Sequence, residues 1–443
     1  MHLHPVIDQT IQNNPVGPLA ALIYVAVLLA AATITMRRPI GGVCMLVFLQ
    51  PFAFYRDVLG TTVTLPKVAL VGVILGCLAY PNALNVLRER VPMRILLAGA
   101  LVLAATALSI VHATHIHAWI RELLKTLEYL VLFATVYVAY RLEPNRDMVR
   151  LTVIVVTTMV ALASLSQEVF GAPSGLWING HPTPRIAGPL EGPNQLAGYL
   201  ELSIPLLFAF CIERFDATIG IALVLAVFAD VLTFSRTGAI AAVIALAIVA
   251  YIFRNRNQRA ALLCVGGGIV AGSMVAVFWG IVAHTHGINR FWTFKESPNA
   301  GGVGTRSQLW PAAIRLWRSH PLLGVGAGNY ELDLPLVGLY TIRTHANSLY
   351  LQALAEGGIV QLAATLYLAY VSISTFVRER AQSPIVAGVL AGSVALALHQ
   401  IADYLVYYPK IGGWWWVLLA LGAAEVARAA EPARPERTVP QCA

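Results

Sequence analysis

The chain has 443 residues, 58% of them hydrophobic and only 12% charged, with a mean hydropathy of +0.71. A soluble domain carries roughly 25% charged residues, so a soluble fold is excluded and an all-α, polytopic membrane protein is expected. The formal net charge of +8 suits anionic lipid surfaces or anionic lipid-linked substrates, and the scatter of basic residues along short loops argues against a nucleic-acid face.

Apolar runs matching the bilayer core predict helices near 17–36, 39–55, 66–84, 94–112, 118–140, 149–170, 194–212, 217–234, 237–253, 260–283, 347–376, 384–404 and 412–428. Only Arg37 and Arg38 separate the first two, which can form one irregular element, so about 12 (12–13) spans are expected in one integral-membrane domain over 1–443. The first 16 residues contain no Lys or Arg, and no cleavable signal peptide is expected. The five cysteines form no CxxC pair and read as core residues. No tandem or inverted repeat is evident.

Short basic loops set orientation. Arg88/Arg90/Arg94, Arg141/Arg146/Arg150, Arg254/Arg256/Arg259, Arg378/Arg380 and Arg428/Arg434/Arg437 fall in alternate loops, which assigns them to the cytoplasmic side. The loops 113–117, 171–193, about 235, 284–346 and 405–411 then face outward, with 284–346 as the large loop and 171–193 as the second. Trp414, Trp415 and Trp416 are expected in an interfacial aromatic belt, and the Pro- and Arg-rich tail 430–443 is expected to be disordered.

The polar features follow in chain order. His112, His115 and His117 have a spacing that can admit a metal, but no acidic or Cys partner is adjacent, and no metal site is expected. Arg121, Glu122, Lys125 and Glu128 open a span at spacings that allow mutual pairing. The stretch from Pro184 to Ala197 is a Gly/Pro-shaped turn before a helix, with Asn194 a plausible cap. Arg236 sits between two apolar runs, where an arginine either snorkels or serves an anion. The segment 284–345 holds Arg290, Lys295, Arg306, Arg315, Arg318 and Arg343 against Glu296, Glu331 and Asp333. Within it, a helix opening at Thr305 or Ser307, with Pro311 in its first turn, is expected to lie along the membrane surface and to place Arg306 at an anion-favouring N-terminus. His345 precedes a helix that Asn347 or Ser348 can cap. The positive end of a helix disfavours imidazolium, and a neutral His can act as a general base.

There is no GxxxxGK[ST] loop and no HExxH. An enzyme working on the outer face has no ATP supply, so its donor must already be activated.

Four ordered pieces resemble the O-antigen ligase and polymerase superfamily of bacterial envelopes. They are Arg185-Ile186-Ala187-Gly188 leading to Pro193-Asn194-Gln195-Leu196-Ala197; Ser235-Arg236-Thr237-Gly238; Arg306 and Trp310 followed by Pro321 to Asn329; and His345 to Ile359. The chain is most similar to the ligases, which move finished polysaccharide from undecaprenyl pyrophosphate to a sugar of the lipid A core. The resemblance implies a GT-C-like inner-membrane glycosyltransferase with a periplasmic site and no cofactor. Two family arginines and one histidine correspond to Arg236, Arg306 and His345, the last as general base. Arg185, Asn194, Arg290, Asn347, Arg121 and Lys125 are expected to line the substrates. One departure is Asn347-Ser348-Leu349-Tyr350, where many relatives carry His-Asn, so only His345 is available as the base. An O-antigen polymerase or O-linked protein glycosyltransferase of the same superfamily is the first alternative. A lipid-linked oligosaccharide transporter is the second; it should show repeats and broken mid-membrane helices.

Overall fold

The computed structural model describes residues 18–254, 303–380 and 383–431, apart from 53–54, 59–60, 172–176, 179–180 and 183–184. The predicted span at 260–283, Arg290, the early part of the large loop and most of the tail lie outside the described residues.

The long runs fold as expected into α1 (Pro18–Arg37), α2 (Pro39–Leu49), α3 (Leu65–Leu78), a short α4 (Ala83–Val86), α5 (Arg90–Leu108), α6 (Ile116–Leu142), α7 (Arg146–Phe170), α8 (Pro193–Glu213), α9 (Ala217–Leu232) and α10 (Arg236–Phe253). After the undescribed stretch come α11 (Val303–Ser319), a short α12 (Tyr330–Asp333), α13 (Leu349–Val377), α14 (Pro384–His399) and α15 (Pro409–Ala429). Two antiparallel hairpins are the β structure among the described residues: β1 (Tyr55–Val58) with β2 (Thr61–Thr64), and β3 (Trp177–Ile178) with β4 (His181–Pro182). Six described helices are long and apolar enough to cross a membrane, and five shorter ones are apolar. The chain is a multi-pass, helical membrane protein.

Some boundaries differ from expectation. Arg38 is extended (φ −146°, ψ 97°) and Pro39 starts a new helix, so α1 and α2 are separate. α2 stops at Leu49, and the remainder of the predicted 39–55 run turns into the β1–β2 hairpin.

α8 is the centre of the bundle, buried along nearly its whole length and packed by α7, α9, α10, α14 and α15. Its closest neighbour is α14, where Gly388 and Gly392 form a small-xxx-small stripe. A Cβ at Gly388 would stand 2.6 Å from the Leu206 Cα, and one at Gly392 would stand 3.2 Å from the Leu202 Cα. Without side chains there, the two backbones meet and dispersion contacts replace the hydrophobic drive that lipid does not supply. The tryptophans expected in a lipid belt lie in this packing instead. Trp414 and Trp416 are buried, and the Trp414 and Trp415 ring N–H groups donate to Ser203 and Ser393 hydroxyls, both at 3.1 Å. An indole N–H in a helix interface needs a partner, and those serines provide it.

Carboxylates hold the arginines at one end of the bundle. Arg38 pairs with Glu143, Arg141 with Glu89 and Glu431, and Arg146 and Arg428 with the fully buried Glu425. The opposite end gathers the turns before α8 and α10, the segment 303–348 and the α14–α15 link. The polar residues singled out for the outer loops that are among the described residues are on this second end.

Candidate active site

α11 begins at Val303, earlier than expected, so Arg306 is in its first turn and Pro311 falls in its interior. Its apolar face is taken up by protein contacts. Its stripe of Leu309, Ala312, Ala313 and Leu316 buries against Val325, Tyr330, Leu334, Ala346 and Ala355, forming a second small core. That core clamps Arg306 and the His345 loop to the top of α13.

α13 itself is broken. Gly358 has φ 65° and ψ −160°, a conformation only glycine adopts readily. The break frees backbone groups that would otherwise be unsatisfied, and the glycine-rich segment Pro321–Asn329 fills it. Val325 N–H donates to Ala355 O (3.0 Å) and Gly326 N–H to Glu356 O (2.8 Å), while Ile359 N–H donates to Pro321 O (3.0 Å). A Cβ at Gly324 would lie 2.3 Å from the Glu356 carbonyl carbon, and one at Gly358 would lie 2.3 Å from that of Leu322. The glycines of the third and fourth motifs are therefore two sides of one crossing.

Around this support the cations assemble. Arg185 is buried; its Nε donates to Thr233 O (2.5 Å) and its Nη2 to Asn194 Oδ1 (2.6 Å). Asn194 does not cap α8, because Gly192 occupies that position and Pro193 starts the helix. Its amide instead donates to Asp403 Oδ2 at 2.7 Å. Arg306 Nη2 approaches the same oxygen at 4.0 Å. Arg236 opens α10 three residues after the carbonyl that Arg185 holds, with Ser235 Oγ capping the Gly238 N–H. Gly238 seats this turn on α8, since a Cβ there would meet the Ala197 Cβ at 2.8 Å. Arg185, Arg236 and Arg306, from three separate segments, thus lie on one end of the bundle, with Asp403 facing Arg306 directly and Arg185 through Asn194.

His345 is 7% exposed. Its Nδ1 accepts from the Asn347 N–H (3.2 Å), and its Nε2 lies 3.1 Å from Tyr408 Oη. A neutral imidazole has one donor and one acceptor, so the Asn347 contact assigns the proton to Nε2, donated to Tyr408. Burial lowers the His345 pKa, Arg306 and Lys125 lower it further, and Asp403 opposes them. Tyr404, Tyr407 and Tyr408 surround the ring at centroid distances of 5.9, 5.7 and 6.0 Å. Burial holds the Tyr408 phenol well above its usual range, so it stays neutral. Ser348, not Asn347, caps α13.

The positive-φ residues other than glycine among those described are Phe234 (φ 49°) and Asn347 (φ 50°). Each stands two positions from a residue singled out by sequence, Arg236 and His345. Backbone strain of this kind persists only where the surroundings enforce it, and it clusters at functional sites.

The expected substrate-lining residues divide. Arg185 and Asn194 join the cationic group, and Asn347 joins through its backbone. Lys125 stands on the far side of the tyrosines. It pairs with Glu122 (2.7 Å), and its Nζ lies 4.4 Å from the Tyr407 ring centroid. Arg121 is exposed beside it, and Glu128 pairs across to Lys67 rather than within α6. His112 stacks on His320 (centroids 4.0 Å apart), and His115 Nε2 lies 3.8 Å from Asp333 Oδ1.

The sequence reading missed Asp403 and the three tyrosines. The available signal was their density: one acid and three tyrosines in the eight residues from Asp403 to Lys410, between two apolar helices.

Arginines and a buried imidazole whose pKa is lowered thus share this end of the bundle. No curated protein matches the chain. Residues 221–367, which contain Arg236, Arg306 and His345, match the family described as O-antigen ligase, and this match supports the resemblance to the O-antigen ligase/polymerase superfamily.

Proposed function

We propose that the chain is an O-antigen ligase of the bacterial inner membrane, GT-C-like in architecture, with its site on the periplasmic face. It transfers polysaccharide from undecaprenyl pyrophosphate to a sugar hydroxyl of lipid A–core. One observation carries this reading: Arg306 and, through Asn194, Arg185 meet at Asp403 beside the buried His345, and Arg236, Arg306 and His345 all fall in the family-matched stretch.

The chemistry is a single displacement. The acceptor hydroxyl attacks the anomeric carbon, the new glycosidic C–O bond forms, and the bond to the pyrophosphate oxygen breaks with its electron pair. Configuration inverts. His345 takes the hydroxyl proton at Nδ1 once the substrate displaces the long Asn347 N–H contact, a role worth about 10²–10⁴-fold in rate. Tyr408, accepting from Nε2–H, holds the ring in the required tautomer. Arg236 and Arg306 neutralise the departing pyrophosphate in place of a metal ion, with Arg185 behind them. A cleft of about 130 Å³ between α5, α6, α13, α14 and α15 has Lys125, Glu122 and Tyr404 at its polar end and Val102, Leu368 and Ile373 along its apolar part. That pattern suits a lipid with a charged head.

Reconstitution tests the reading. The purified full-length chain would be mixed with undecaprenyl-pyrophosphate glycan and lipid A–core in EDTA. Glycan should appear on lipid A–core, and His345→Ala should abolish it. Chain extension on the carrier with no transfer to lipid A–core would make the protein a polymerase. Activity lost to EDTA and restored by a divalent ion would overturn the metal-independent mechanism.

A further inference from the structure

Glu356 and Gln352 lie one turn apart on the buried side of α13, and neither has a part in the chemistry above. Glu356 is 6% exposed and faces donors. Its Oε1 accepts from the Tyr330 N–H (3.3 Å) and from Gln352 Nε2 (2.8 Å), and the Gly328 N–H also hydrogen-bonds to the carboxylate. Gln352 turns its other end toward the site: its Oε1 accepts from the Ala346 N–H at 2.7 Å. Ala346 is fully buried and follows His345 directly.

We infer that Glu356, acting through Gln352, is a positioning residue that fixes the backbone at Ala346 and so the place of the His345 ring. The inference rests on the proposed role of His345 as base. The polarity runs one way. The Glu356 Oε1 receives its bonds from donors, whereas Gln352 donates at one end and accepts at the other. E356Q would turn an N–H donor toward groups that are themselves donors, and Q352E would set two carboxylates against each other. Both faults fall in an interior where an unpaired polar group is costly. The glycine crossing adds to this argument. The Pro321–Asn329 segment is already pinned to α13 by backbone pairing at Ala355 and Glu356. The Glu356 side chain extends that pinning to Tyr330 and, through Gln352, to the loop that carries the base. The double variant E356Q/Q352E restores the polarity. Its amide at position 356 donates to the carboxylate at position 352, and that carboxylate still accepts from the Ala346 N–H.

The test uses full-length protein reconstituted with undecaprenyl-pyrophosphate glycan and lipid A–core, and compares E356Q, Q352E and the double variant with the parent and with H345A. Displacements on the 1 Å scale at a reacting group cost about 100-fold. Each single variant should lower kcat by about that factor with KM little changed, and the double variant should recover part of the loss. A second readout needs no turnover: the rate at which diethylpyrocarbonate modifies His345, followed by peptide mass spectrometry across pH. The single variants should change that rate and its pH midpoint. If E356Q does not yield folded protein, Q352M carries the same two measurements. Unchanged kcat together with unchanged His345 modification in E356Q or Q352M overturns the inference and leaves the proposed function standing. Full activity in H345A overturns the proposed role of His345 instead, and the modification readout still reports on Glu356.

Discussion

Burial, Arg306 and Lys125 disfavour a charged His345, and Asp403 favours it. The balance leaves the imidazole below its ordinary pKa of about 6.5, so the proposed base would be in its neutral form at neutral pH, and transfer should fail as pH falls through the lowered value. Removing Asp403 removes the one influence that raises the pKa. Asp403→Asn should therefore shift the acid limb of the rate profile to lower pH. Its height should drop as well, because Asn194 and Arg306 both lean on that carboxylate. The midpoint is the discriminating quantity, and a shift to higher pH would remove Asp403 from the electrostatic account. Arg236, Arg306 and His345 were legible in the sequence because each interrupts or adjoins an apolar run where a polar residue is costly. Asp403 was not, because it sits at a helix end where any polar residue is tolerated. Its meaning appears only when the fold sets it beside Asn194, 209 positions away in sequence.

At the scale of elements, periodicity and length recovered most described helices to within a few residues, with α2, α11 and the ends of α3 and α14 the larger departures. The errors share a cause. Pro311 and the run after Leu49 were judged by local propensity, and the three tryptophans by average membrane statistics, but tertiary packing decided each of them. The kink in α13 was illegible for the same reason: Gly357-Gly358 is an unremarkable pair until Pro321–Leu323 crosses it. The α8–α14 contact offers a direct test. Gly388→Leu would push a side chain into the Leu206 backbone, 2.6 Å from where a Cβ would stand. Overpacking of a close-packed core costs about 1–3 kcal/mol, and helices without a hydrophobic drive between them have few ways to compensate. The variant should unfold at lower temperature in detergent than the parent, whereas Gly220→Ala, where the nearest atom to a new Cβ is the Phe215 ring at 3.6 Å, should not. Equal melting of the two variants would mean that the glycine stripe does not set the approach of α8 and α14.

At the scale of the whole molecule, the two ends of the bundle differ in how they treat charge. One end ties several of its arginines to carboxylates, as at Arg141–Glu89 and Arg146–Glu425. The other holds Arg306 and, through Asn194, Arg185 at the buried Asp403, with Arg236 opening α10 beside the carbonyl that Arg185 holds. The positive-inside rule counts the lysines and arginines of short loops, and by that count the paired end is expected in the cytoplasm and the proposed site in the periplasm. Accessibility to a membrane-impermeant maleimide tests this without reference to activity. In a chain whose five cysteines are first replaced by serine, single cysteines would be placed at Tyr340 and Asp147. Tyr340 is 79% exposed beside the site, and the Asp147 side chain is 81% exposed at the paired end. Intact spheroplasts should label the Tyr340→Cys protein and spare the Asp147→Cys protein, and inverted vesicles should give the reverse. The opposite pattern would put the proposed site in the cytoplasm, where a polymer built on the outer leaflet could not reach it, and the proposed ligase would lose its donor.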